Sequence, residues 1–172
     1  MPKMIKINVE DHKLIDNNRV CEDVTQVVLP NLEHPTTAVE NVSGMAMNMD
    51  VPNPSRYNAA EVSVAHNNGV NCEYLAQPGK HVMEFRMARQ TFNTSKTDIK
   101  HEGTKFRVTG LFKSVDKGTI ETGNPWGSTV RYGVVRYEEI VNGKQTLLVD
   151  ATGNKLVVNG LSFTDDISSL LN

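Results

Sequence analysis

Residues 105–112 (KFRVTGLF) constrain this chain more than any other stretch. Phe106, Val108, Gly110 and Phe112 fall on one side, and Lys105, Arg107, Thr109 and Leu111 on the other. Successive side chains of a strand point to opposite faces, so this alternation predicts a half-buried strand. Residues 81–89 (HVMEFRMAR) repeat the pattern, with Met83, Phe85 and Met87 opposed to Glu84 and Arg86, and residues 61–65 (EVSVA) are a shorter copy. Residues 129–141 (TVRYGVVRYEEIV) are rich in Val and Tyr and end at Asn142-Gly143. That dipeptide tolerates positive φ at both central positions of a tight two-residue hairpin, and residues 144–150 (KQTLLVD) form the return strand. Gly153-Asn154 marks a further turn before a short strand at 155–158 (KLVV), and segments 3–9, 24–29 and 36–42 are additional strand candidates. The turn signal at Asp11-His12-Lys13 reads as a turn rather than a catalytic group.

Helix signals are few. Residues 68–77 (NGVNCEYLAQ) place Val70, Tyr74 and Leu75 on one face before Pro78-Gly79 stops them. Residues 164–171 (TDDISSLL) begin with a Thr cap and carry Asp165 and Asp166 in the first turn, where acidic groups meet the positive end of the helix dipole. Ile167, Leu170 and Leu171 give it an apolar face, so a short C-terminal helix packed on a sheet is expected. The fold class expected is mainly β: two packed sheets, as a sandwich or split barrel, with a short flanking helix, in one domain over residues 1–172.

Composition bears on what such a domain can do. The 172 residues hold 18 Lys and Arg against 20 Asp and Glu, for a net charge of −2. That excludes a polybasic nucleic-acid or membrane-surface binder as the default. Two cysteines, Cys21 and Cys72, rule out a disulfide framework, no apolar run is long enough to span a membrane, and the first residues lack the apolar core of a signal peptide. A soluble, cytoplasmic protein is expected. Hydrophobic content is only 38%, lean for a chain long enough to build a full core, so part of the stabilising burial is expected between chains.

Two segments fit neither period. Residues 43–58 (SGMAMNMDVPNPSRYN) set Met45, Met47 and Met49 two apart and follow them with Pro52 and Pro54. Spacing by two gives an apolar stripe in an extended chain, and the prolines bar a central strand. The stripe can be a core-facing strand or a projecting arm that packs on another chain. Methionine adapts to irregular surfaces, and the Pro and Asn residues around it favour the arm. Residues 115–128 (VDKGTIETGNPWGS), with the only Trp, read as a loop between strands.

No constellation carries catalysis. His12, His34, His66, His81 and His101 form no HxH or HxxxH pair and no CxxC exists, so a zinc site is not expected. Glu138 and Glu139 are neighbours on a strand and point to opposite faces, so they cannot act as one acid–base pair. Residues 118–127 are glycine-rich but lack the Lys-Ser/Thr ending of a phosphate loop. Neither a catalytic residue, a metal nor a cofactor is expected.

The carboxyl half nevertheless has a familiar order: GLFKSVDKGTIETG at 110–123, then RYEEIVNGKQTLLVD at 136–150, then KLVVNGLS at 155–162. TQVVLPNLE at 25–33, followed by Gly44-Met45, agrees with it. In this order the chain resembles the major tail tube proteins of contractile-tailed phages and of phage-tail-like bacteriocins. Gly110, Lys113, Gly118, Gly123, Asp150, Asn159 and Gly160 occupy the matching positions. The family often has a basic helix after its Val-Asn-Gly element, whereas here Ser162 and an acidic helix follow.

The resemblance implies a structural, non-enzymatic subunit. Six copies would form a ring in which neighbouring sheets join into a continuous barrel, and rings would stack head to tail into a hollow tube. The tube would conduct DNA or serve envelope puncture. Implied partners are further copies of itself, the contractile sheath protein, and baseplate and tail-terminator proteins. DNA or a tape-measure protein would be passing cargo only, and the monomer would not insert into a membrane. Assembly would take place in the bacterial host cytoplasm, and the product would be the tail of a virion or of a phage-tail-like particle. Subunit contacts would involve the arm, through Gly44, Met45, Met47, Met49, Pro52 and Arg56. The competing reading is a ligand- or carbohydrate-binding β-sandwich, but such sites display aromatic platforms and Trp126 stands alone in its loop.

Overall fold

A computed structural model describes residues 3–67 and 73–172. Its axis is β8 (Asp98–Asp116), which pairs antiparallel with β7 (Lys80–Asn93) on one edge and β9 (Ser128–Val141) on the other. Beyond β7 lie β1 (Met4–Asp16) and then β2 (Arg19–Cys21). The far edge of β9 serves two partners. Its first half pairs with β6 (Glu61–His66), which carries β3 (Val24–Val28) on its other edge. Its second half pairs with β10 (Lys144–Asp150), followed by β11 (Lys155–Val158) and β12 (Leu161–Ser162). Ten strands therefore form one branched sheet, and the packed layers are its two arms curling over a shared core.

The core is built by the alternation. Leu14, Phe85 and Phe106 stand side by side across β1, β7 and β8, and Val108 sits next to Met83 and Tyr137. Val62 and Val64 of β6 and Val130 and Tyr132 of β9 close it from the other layer, with Val24 and Val27 of β3 packed at its margin. Eight of these side chains and Leu75 are essentially inaccessible or nearly so. Each fully buried one contributes about 1.5–3 kcal/mol relative to exposure. The curl stops short of a closed barrel. β1 and β3 face each other without pairing, and His12 Nε2, 3.1 Å from the Val24 carbonyl oxygen, bridges the seam.

Several expectations need correction. Asp11-His12-Lys13 is no turn but lies inside β1, whose ladder with β7 shifts register between Lys6 and Val9 and again between Val9 and Asp11. Such bulges insert extra residues and break the alternation that marks a strand. Of the helix expected at 68–77, residues 68–72 lie outside the described residues, and Glu73–Ala76 forms a single 3-10 turn. The C-terminal helix α1 (Asp165–Leu170) is present but is not packed on the sheet. It buries none of its residues, and Leu170 and Leu171 are more than four-fifths exposed. Its first turn is held by the Ser162 hydroxyl, which accepts from the Thr164 and Asp165 amides, rather than by a Thr164 side-chain cap.

The arm differs in extent. β4 (Thr36–Val39) and β5 (Met49–Pro52) pair antiparallel as a separate two-stranded ribbon, from Thr36 opposite Pro52 to Val39 opposite Met49. The candidate strand at 36–42 and the methionine segment are thus the two legs of one projection, and it begins before residue 43. Pro52 is tolerated because the ribbon leaves its outer edge unpaired.

Candidate functional site

The projection presents its apolar side chains to solvent. Met47 is 77% exposed, and Met45, Met49, Val42 and Val51 are between 39% and 47% exposed. The core-facing reading of the methionine stripe is therefore excluded. Gly44, with φ +86°, sits at the tip. From residue 31 to 55 the arm holds Glu33, Glu40 and Asp50 and no Lys or Arg. A contiguous apolar and acidic ribbon left in water has no role in the chain's own core, and such a surface marks an interaction site.

The root of the arm is fixed, not loose. The Asn58 amide donates to the Glu33 carbonyl at 2.7 Å and the Asn53 amide to the Pro35 carbonyl at 2.8 Å. His34 Nδ1 donates to the Arg56 carbonyl oxygen at 2.8 Å, while its ring stacks on Tyr57. Arg56 enters the arm through that backbone oxygen. Sequence reasoning noted His34 only as one of five histidines without a metal-binding spacing and did not single out Tyr57. The two face each other only once the legs come together, and no periodic signal joins residues so far apart.

The other singled-out positions are spread over the body. Asn142 and Gly143 join β9 to β10 with φ of 51° and 77°, and Val141 lies opposite Lys144, so both turn residues occupy the left-handed region. Asn159 and Gly160 repeat that geometry between β11 and β12, with φ of 51° and 81°. Gly110 is packed in β8 where a Cβ would press on Tyr132. Lys113 of β8 reaches Glu61 at 2.8 Å. Asp150 closes the β10–β11 turn by accepting from the Gly153 and Thr152 amides and the Thr152 hydroxyl, and these bonds, the Gly153 one foremost, hold its carboxyl below the usual range.

Gly118 and Gly123 lie in the 117–127 loop. Gly118 has φ +76°, and a Cβ there would run into the Gly127 carbonyl oxygen, so no other residue fits without moving the loop. The Trp126 indole donates to the Lys117 carbonyl oxygen at 2.7 Å across the same loop. The indole thus serves as a clasp across the loop. Among the described residues no group of three or more His, Cys, Asp or Glu side chains is placed to hold a metal ion.

A body of one branched sheet with a stiffly rooted apolar ribbon is a subunit architecture, and the comparison with known families decides which. The family model for phage tail tube protein FII matches residues 10–171. This chain belongs to the phage tail tube protein family. The match takes in the seam, the arm, the glycine loop and α1 together. No curated protein matches the chain. Membership makes the chain a structural component of a phage tail that self-assembles into a tube, and no helix among the described residues is long and apolar enough to cross a membrane.

Proposed function

We propose that the chain is the inner-tube subunit of a contractile tail, polymerising as hexameric rings stacked head to tail around a hollow conduit. The exposed methionines of the 36–52 ribbon carry this reading, because a solvent-facing apolar arm on a fixed root requires another chain to cover it. The free β1 and β3 edges of the unclosed sheet support ring formation, since joining neighbouring sheets removes unpaired strand edges. Head-to-tail stacking is heterologous and open, and so yields a filament.

The work of such a subunit is geometric and electrostatic. Lys and Arg in stacked rings would retain phosphates through counterion release, so a conduit for DNA needs a weakly charged or acidic lumen. A charge of −2 per copy, −12 for six, suits passage without retention. The sheath protein would surround the tube, baseplate and terminator proteins would cap it, and DNA or a tape-measure protein would pass through it. In a bacteriocin the same tube would puncture an envelope. Assembly would occur in the bacterial host cytoplasm, from single domains spanning residues 1–172, with no catalytic step.

Negative-stain electron microscopy of the purified protein tests the proposal. Hollow rods of uniform width are expected. A monodisperse monomer at high concentration would overturn it.

A further inference from the structure

The far edge of β9 changes partner at a fork. Its ladder with β6 ends at Gly133 opposite Glu61, and its ladder with β10 starts at Arg136 opposite Asp150. Val134 and Val135 lie between. The diverging strands leave a cleft of about 380 Å³ there, with Leu32, Ala60, Val134, Tyr137, Val149 and Leu156 among its apolar lining. Residues 55–60, the outgoing leg of the arm, also line it. The bond from the Asn58 amide to Glu33 and the His34–Tyr57 stack fix that leg, so the cleft is preformed.

Two cations stand at this cleft. Arg56 on the leg and Lys155 at the start of β11 are exposed, and neither forms an ion pair among the described residues. Asp150 faces Lys155 across the ladder, but its Oδ1 accepts from the Thr152 and Gly153 amides of its own turn. The cleft therefore fits an apolar segment that carries negative charge.

The arm and α1 both have that chemistry, and the β9 backbone decides between them. At the fork the Val134 amide donates to the Ala60 carbonyl and the Ala151 amide to the Val135 carbonyl, both at 3.0 Å. An added strand draws affinity from main-chain bonds, and this edge is already bonded, whereas a helix satisfies its own main chain and docks by side chains. In α1, Ile167, Leu170 and Leu171 form one stripe at spacings of three and four, and Asp166 borders it four residues before Leu170. All four are exposed. Residues 156–172 hold two Asp and no Lys or Arg. The chain's own α1 is not the occupant. It starts at the cleft, where Thr164 is buried, but buries none of its own residues.

We propose that α1 of one copy docks in the fork cleft of a second copy, with Ile167, Leu170 and Leu171 against the apolar lining and Asp166 toward Arg56 and Lys155. This inference rests on the tube reading and adds a contact distinct from the arm methionines and the β1 and β3 edges. Each copy gives a helix and receives one, so the contact is heterologous and can repeat from copy to copy.

Substitution on each side tests it. Leu170 is 84% exposed, so Leu170→Asp should leave the monomer's melting unchanged while raising the concentration needed for assembly by about tenfold or more. Arg56→Glu with Lys155→Glu should raise it severalfold, as should Asp166→Lys. All three charge changes together should return it to within about threefold of the parent. Melting of each variant checks its fold. Assembly of Leu170→Asp like the parent, or no rescue by the triple change, overturns the inference while leaving the tube reading intact. Failure of the parent itself to assemble removes both.

A second measurement uses chains with Cys21→Ala and Cys72→Ala, one also carrying Ala59→Cys at the cleft and the other Leu170→Cys. Mixed, assembled and oxidised, they should yield the crossed dimer. Its absence from assembled rods would overturn the inference. So would an intrachain disulfide in a monomer carrying both changes, because the helix would then fill its own cleft.

Discussion

The His34 imidazole lies flat against the Tyr57 phenol, with ring centres 4.4 Å apart and planes 13° from parallel. Together with the bond from His34 Nδ1 to the Arg56 carbonyl, this pins the incoming leg of the arm to the outgoing one. A ribbon of two four-residue strands has little stability alone in water, so its direction depends on that clamp.

His34→Ala removes the stack and the hydrogen bond together. Aromatic pairs contribute about 0.5–1.5 kcal/mol beyond their buried area, so the body should stay folded with nearly unchanged melting. Limited proteolysis between residues 36 and 58 should accelerate severalfold, and assembly should weaken. A cleavage rate equal to that of the parent would show that the clamp does not hold the arm.

Met47→Asp addresses the arm itself. At 77% exposure the change costs the monomer little, so solubility and thermal stability should be retained. Buried in a contact between copies, an unpaired carboxylate costs several kcal/mol. Rods should therefore be absent or short by electron microscopy, and rods of normal length would remove Met47 from the interface.

The β9–β10 turn gives a stability prediction. Gly143 has φ +77°, where a β-branched side chain is strained. Gly143→Val should cost roughly 2 kcal/mol, about 4–8 °C in melting temperature for a chain of this size. Gly143→Asn should cost much less, because Asn tolerates the left-handed region. Equal melting of the Val and Asn variants would contradict the turn geometry.

How much of this could be read in the sequence depended on uninterrupted periodicity. β7, β8 and β9 were legible because each runs for many residues with one face buried and the other wet, and Asn142-Gly143 announced its hairpin. β1 was legible only at its start. Its two bulges shift the side chains' parity near Val9, so His12, which bridges the seam, and Lys13 beside it looked like a turn. β2 and β12 are too short to show a period. For α1 the apolar residues revealed a face but not what covers it, and in the single copy Leu170 and Leu171 stay exposed. The arm's methionines stood out by spacing.

A last prediction concerns the body's buried polar pair. Asp16 Oδ2 lies 2.9 Å from His81 Nδ1, and His81 Nε2 is 2.7 Å from the Gln77 carbonyl oxygen. Asp16 is 1% exposed, and its Oδ1 has no hydrogen-bond partner. Loss of solvation raises its carboxyl above the ordinary value, and the His81 bond and charge, with the Arg19 charge, offset this only in part. A raised carboxyl binds its proton more tightly folded than unfolded. Its contribution to stability is therefore fully present below the unfolded value, near 4, and is lost as pH rises through the folded value. Asp16→Asn keeps the shape without the titration. Urea unfolding at intervals from pH 4 to 7 should show the parent losing stability relative to this variant as pH rises. A parent that gains on it instead would mean that attraction to His81 outweighs the cost of burying the carboxylate.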